Sequence, residues 1–251
     1  MQNRIISLCL LVVSLMASWY FLSGCECNCD EQPIVGELSY EREKFFVRRD
    51  NQQQVIKPRL DPPVEGEFWS VPFGLDMDFR TGEINIQTSE SGIRYYIFFR
   101  SNDGQVTADT ELLIAGIDIL DTLIDIREIK SIIPIFNADP ELPLPTGEPI
   151  VEVSERGLLI NVQTGEIDLA GTVEELGGGQ PFFSEDFTLR INFTEDNVEA
   201  SSEVTFRILY YENIQDIPER ILRELREKQQ FPRRKGTDGE RPPYVVLHGR
   251  L

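Results

Sequence analysis

Four residues closing an N-terminal apolar run have types and spacing suited to covalent chemistry: Leu22-Ser23-Gly24-Cys25. Cysteine offers a nucleophilic sulfur. Ser23 and Gly24 are small enough to sit in the narrow pocket of a processing protease. Other reactive residues are scattered. Cys27 and Cys29 follow as Cys-x-Cys, but a zinc site wants about four ligands, and the only histidine is His248. A Ser-His-Asp or Cys-His arrangement would therefore have to use the tail. There is no His-Glu-x-x-His, and Gly177-Gly178-Gly179 lacks the Lys-Ser/Thr of a phosphate-binding loop. With 43 acidic residues, a carboxylate pair carries no glycosidase signal. The expectation is no catalytic residue, no metal ligand and no cofactor.

The elements around Cys25 account for its position. Arg4 and the N-terminal amine form a positive start, and Ile5 to Leu22 carries no charge. The Leu22-Ser23-Gly24-Cys25 pattern resembles the lipobox of bacterial lipoproteins. That resemblance implies diacylglyceryl addition to the Cys25 sulfur, cleavage before Cys25 and acylation of the new amine. Each buried methylene contributes ~0.8 kcal/mol, so several acyl chains hold a protein stably on a membrane. The acidic pair Asp30-Glu31, just downstream, is similar to export signals of Bacteroidota surface lipoproteins. The resemblance implies a bacterial outer-membrane lipoprotein at the cell surface rather than the periplasmic face.

The formal net charge is −19, with 24 basic residues, and it is unevenly spread. From Cys25 to Pro218 the balance is −24, whereas from Glu219 onward nine basic residues outnumber five acidic ones. Such an acidic body repels nucleic acid. All four cysteines lie in the first 29 residues, so no disulfide can staple the body.

That body contains a repeat. Gly74-Leu75, five residues and Thr81-Gly82-Glu83-Ile84 recur as Gly157-Leu158, five residues and Thr164-Gly165-Glu166-Ile167, offset by 83 residues. Leu75, Met77 and Phe79 alternate with Asp76, Asp78 and Arg80, and Leu158, Ile160 and Val162 repeat the pattern. Period-two alternation predicts strands with one buried face, and Thr-Gly predicts the turn between two strands. Further alternating rows follow, in Ile93 to Arg100 and Thr188 to Phe193. Short strands at frequent turns predict β-sandwiches.

The frame, covering about 68–114 and 156–211, resembles immunoglobulin/cadherin-like repeats of bacterial surface proteins. The whole chain is similar to Bacteroidota lipoproteins without an assigned activity. The reading is an all-β fold: two tandem immunoglobulin/cadherin-like β-sandwiches with a short C-terminal amphipathic helix. The predicted segments are a signal peptide (1–24), a lipidated leash (25–37), sandwich one (38–120), sandwich two (121–213), the helix (214–230) and a flexible tail (231–251) in which Tyr244-Val245-Val246-Leu247 could add a strand to a sheet edge. Asp118, Asp121 and Asp125 lie at the predicted junction, but the Asp-x-Asn-Asp-Asn linker of cadherins is missing. Ordinary solvated carboxylates are expected there rather than a calcium site.

The expected role is non-enzymatic: envelope binding, adhesion or scaffolding, with a protein or glycan ligand and with the membrane reached through lipid on Cys25. Carbohydrate binding is the alternative. Tyr95, Tyr96, Phe98, Phe99, Phe182, Phe183, Tyr210 and Tyr211 either fill cores or form a sugar-stacking surface. An aromatic row on a solvent-facing sheet would favour the glycan, and carboxylates clustered in a deep pocket would favour an enzyme.

Changing Cys25→Ala removes the sulfur that takes the lipid. Metabolic acyl labelling should disappear and precursor should accumulate; unchanged labelling would refute the lipobox reading.

Overall fold

The computed structural model describes residues 33–145, 151–153, 157–228 and 241–250. The signal peptide, Leu22-Ser23-Gly24-Cys25, Cys27 and Cys29 lie outside the described residues. From Ile34 onward the chain forms one compact unit, with strands arranged around two main cores.

The first lobe uses β1 (Ile34–Val35), β2 (Glu37–Ser39), β3 (Lys44–Phe46), β4 (Val55–Ile56), β5 (Arg59–Asp61), β6 (Gly66–Val71), β7 (Ile84–Asn85), β8 (Ile93–Ser101) and β9 (Val106–Ala115). Its main sheet runs β1-β9-β8-β6, and β3 joins β9 further along the same edge. β8 and β9 are an antiparallel hairpin, while β1 and β3 run parallel to β9. Strict alternation on β8 turns Ile93, Tyr95, Ile97 and Phe99 inward, where they pack on Leu38, Ile56 and Ile84 from the small ladders β2–β5 and β4–β7 and on Ile86 just after β7. Each side chain so buried contributes about 1.5–3 kcal/mol.

The second lobe uses β10 (Ile117–Asp118), β11 (Thr122–Asp125), β12 (Ser131–Ile132), β13 (Ile135–Phe136), β14 (Val151–Val153), β15 (Leu159–Ile160), β16 (Ile167–Asp168), helix α1 (Leu169–Gly177), β17 (Phe182–Glu195), β18 (Val198–Tyr211), helix α2 (Glu219–Lys228) and β19 (Tyr244–His248). Its sheet runs β11-β19-β18-β17-β14. Phe187, Leu189, Ile191 and Phe193 face inward from β17, and Val204, Phe206 and Ile208 from β18, against Ile167, Leu169 and Val173. On the sheet's other face, Ile217, Ile221 and Leu225 pack on Leu209, Tyr211, Tyr244 and Val246. This is the predicted amphipathic helix, but it starts at Glu219 rather than at 214: Pro218 stands just ahead of its first turn, and Ile214–Asp216 is a 3-10 turn whose Ile214 is exposed.

The two repeat frames have the same hydrogen bonds. Asp78 Oδ1 accepts from Arg80 N and Thr81 N, both at 2.8 Å. Asn161 Oδ1 accepts from Gln163 N (3.0 Å) and Thr164 N (3.2 Å). Each turn closes through its glycine: Gly82 N donates to Asp78 O at 2.8 Å, and Gly165 N to Asn161 O at 2.7 Å. The likeness also runs past the shared motif. Ser89 Oγ bridges Asp76 N and Asn85 O, and Thr172 Oγ1 bridges Leu159 N and Asp168 O.

The structure departs from the expected strands in four places. Phe79 and Val162, expected inside, are exposed, because the chain is already turning there. Ile84 is followed by a short 3-10 turn, Ile86–Thr88, and Leu169, expected in a return strand, starts α1. Leu169, Ala170, Glu174, Glu175 and Leu176 favour a helix, and Asp168 caps it through Gly171 N. Ile34–Val35, within the predicted leash, already pairs with β9. Tyr244–His248 lies inside a sheet instead of at its edge, between β11 and β18 and parallel to both.

The lobes meet where β9 runs into β10. Ser202 Oγ accepts from Ile117 N (2.8 Å) and contacts Ser91 Oγ (2.7 Å). A Cβ on Gly116 would fall 2.2 Å from Ser202 Oγ, so only glycine fits this crossing.

Gly82 and Gly165 have φ of +68° and +71°, and an added Cβ would fall 2.8 Å from Phe68 Cε1 and 2.2 Å from Leu144 Cδ1 respectively. Gly82→Val and Gly165→Val should each destabilise the unit by about 1–3 kcal/mol. Denaturant midpoints unchanged from the parent would show that the turns are not as described.

Candidate functional site

An aromatic row covers the outward face of β6 and β8. Alternation that sends Phe68, Tyr95, Ile97 and Phe99 inward must send Trp69, Tyr96 and Phe98 outward. Trp69 lies opposite Phe98, and Val71 opposite Tyr96. The Trp69 and Phe98 rings are offset-stacked, with centroids 5.7 Å apart and planes 18° apart. Trp69 remains 45% exposed and Tyr96 49%. Phe73, half exposed, follows the end of β6. On the neighbouring strand, exposed Asp109 faces Phe98, and exposed Glu111 faces Tyr96. Arg94 lies 3.8 Å from Glu111. The result is an apolar strip bordered by hydrogen-bonding carboxylates.

The second lobe is an internal control for this strip. Phe99 faces Ala108 across the first hairpin, and Phe193 faces Ala200 across the second, and both turn inward, so the residues one and three places earlier point outward in each hairpin. Counting from those pairs, Phe98 corresponds to Asn192 and Tyr96 to Arg190. The second lobe folds with polar residues there: Asn192 opposite Ser201, and Arg190 opposite Glu203 with Nε 3.0 Å from Oε2. Rings at the first-lobe positions are therefore not a requirement of the fold.

Of the eight aromatics singled out from sequence, Tyr95, Phe99, Tyr210 and Tyr211 are buried, Phe183 is half-buried against the second core, and Phe182 is exposed and pairs with Tyr211 at 5.0 Å. Only Tyr96 and Phe98 join the strip. Trp69, its most prominent member, was missed. Its signal was the alternation in Gly66–Val71, where Phe68 and Trp69 had to point opposite ways.

The junction carboxylates need a correction: they are not all plainly solvated. Asp118 is buried. Asp121 Oδ1 accepts from Arg241 Nη1 and from Tyr244 N, both at 2.6 Å. Asp125 is bound by Arg127, whose guanidinium holds that carboxyl well below the usual carboxylate range. Asp121 and Asp125 thus serve two separate arginines.

An open cleft of about 770 Å³ lies between the lobes, lined by Arg49, Asn51, Gln87, Arg190, Glu203 and Pro243 among others. Two of its three carboxylates are held by arginines: Glu203 by Arg190, and Asp186 by Arg207 with Oδ1 2.5 Å from Nε; Glu90 is the third. No ring from the aromatic row reaches it.

No protein-family model matches this sequence, and no curated protein matches it. Among solved structures, the chain aligns to Drosophila N-cadherin EC1-4 with TM-score 0.24 and 11% identity, over 70% of this chain and 49% of that one. It aligns to a SusE-like surface-located polysaccharide-binding protein from the heparin utilisation locus of Bacteroides thetaiotaomicron with TM-score 0.22 and 13% identity, over 68% and 34%. Scores this low superpose neither chain, so the fold assignment rests on the strand pairing itself.

Trp19 and Trp69 are the only tryptophans, so the chain from Asp30 onward contains Trp69 alone. Its emission should be red-shifted and readily quenched by acrylamide. A blue-shifted, protected tryptophan would mean that the strip is covered.

Proposed function

We propose that this chain is a lipid-anchored, non-enzymatic binding protein of the bacterial outer membrane, displayed on the cell surface, that holds an extended uncharged glycan against Trp69, Phe98 and Tyr96. The observation carrying this reading is the exposed aromatic row at positions where the duplicate lobe has Arg190 and Asn192. Sugar rings have apolar C–H faces that suit aromatic surfaces, and hydroxyls at their rims that suit carboxylate acceptors. Asp109 and Glu111 supply such acceptors, and with Glu67 they outnumber Arg94 and Arg100 on the same face, which leaves no basic surplus to attract an acidic polymer.

Magnitudes explain why a row is needed. Covering ~100 Å² of one ring contributes about 2.5 kcal/mol at ~25 cal/mol per Å². That is less than the ~4.1 kcal/mol of a millimolar complex, before ordering costs. Adjacent rings acting on one polymer bring binding into a useful range. Leu22-Ser23-Gly24-Cys25 supports the anchor, and the arginine-bound carboxylates of the cleft support a non-enzymatic role.

Native gels cast with neutral polysaccharides (laminarin, xyloglucan, galactomannan) or anionic ones (alginate, heparin) test the reading. At least one neutral polymer should retard the chain, and Trp69→Ala or Phe98→Ala should weaken that retardation tenfold or more with the melting temperature nearly unchanged. Retardation only by anionic polymers, or no effect of either substitution, would contradict it.

A further inference from the structure

The second lobe contains a strand that its duplicate lacks. In the first lobe, β9 takes parallel strands directly from the segment preceding the lobe, β1 and β3. The equivalent strand of the second lobe is β18. There the preceding segment supplies β11, but β11 does not touch β18; β19 lies between them, parallel to both. Val245, Val246 and Leu247 are fully buried. Val245 and Leu247 complete the main core, and Tyr244 and Val246 complete the layer beneath α2.

The slot is selective at its entrance. Arg241 places Nη1 on Asp121 and Nε 2.9 Å from Glu224 Oε2, and stacks over the Tyr244 ring at 3.5 Å. Asp121 also accepts the Tyr244 amide. The Arg241 and Asp121 side chains are only 12% and 10% exposed. An extended segment reading Arg-Pro-Pro-Tyr followed by aliphatic residues is thus recognised by charge, ring and backbone together.

We propose that the slot between β11 and β18 is an exchangeable strand acceptor, and that the C-terminal strand of a second copy of this chain occupies it in a strand-swapped dimer. The proposal is independent of the glycan reading. Three features support it. β19 is the last element among the described residues, and the pairings of all strands except β11 and β18 are made without it. Fifteen residues join Lys228 to Tyr244, a span of up to ~50 Å, enough to reach a neighbouring molecule. Residues 229–251 carry five basic and two acidic side chains against a body of net charge −24, so a released tail is attracted to the acidic body of a neighbouring molecule as it is to its own. A swap recreates the same contacts in trans, which leaves the choice between the two forms to concentration.

The chain from Asp30 onward holds the whole compact unit and has no cysteine, which permits a direct test. Leu123 and Val246 are register partners across the slot. A double variant, Leu123→Cys with Val246→Cys, should close an intrachain disulfide. Mixing the two single variants at high concentration, then oxidising, should give a disulfide-linked dimer well above the yield of either alone. Adding Arg241→Ala to both should speed its appearance several-fold. An efficient intrachain bond in the double variant with no excess dimer in the mixture would overturn the proposal. So would failure of the double variant to close, because the slot register would then be wrong.

Discussion

The structure depends on two long antiparallel hairpins whose inner rows must be dry. Tyr95, Ile97 and Phe99 in one, and Leu189, Ile191 and Phe193 in the other, are almost completely removed from water. The elements that cover those rows are the β2–β5 and β4–β7 ladders in the first lobe, and α1 with the β12–β16–β15 ladder in the second. Because a strand alternates, fixing the inner row leaves the outer row free to diverge.

Divergence of the outer rows separates the two lobes. The frame that holds the turns is duplicated down to the Ser89 and Thr172 hydroxyl bridges. The outward faces share little. In the second lobe, one end of the face is sealed by α2 over Leu209 and Tyr211, and the rest carries charged and hydroxyl side chains bordering the cleft. In the first lobe, the corresponding face presents Trp69, Phe98 and Tyr96 to solvent. An inner row set by the core and an outer row free of it account for both faces.

Features governed by short-range pattern were legible in the sequence. The Thr-Gly turns, the alternating rows and the helix face of Ile217, Ile221 and Leu225 depend on residues close in sequence. The insertion of β19 was not legible in that way. A parallel pairing of Thr122 with Val245 spans most of a lobe, and no local signal sets it apart from an edge addition. Helix α1 was hidden because Ile167-Asp168-Leu169 fits a strand and the start of a helix equally well. The following residues decide the outcome: Ala170, Glu174, Glu175 and Leu176 favour a helix after Leu169, whereas Thr88, Ser89 and Ser91 follow Ile86. The strip was half legible. Alternation named Tyr96 and Phe98 as outward, but Trp69 gained meaning only once β6 was known to lie beside β8.

The central claim is that ligand binding takes place on the outer face of the first sheet and not in the larger cleft. Amide chemical-shift mapping of the chain from Asp30 during titration with an oligosaccharide of a retained neutral polymer tests it most directly. The account predicts shifts concentrated at Glu67 to Val71, Arg94 to Arg100 and Thr107 to Glu111. Shifts centred instead on Asn51, Gln87, Arg190 and Glu203 would place the ligand in the cleft and contradict it.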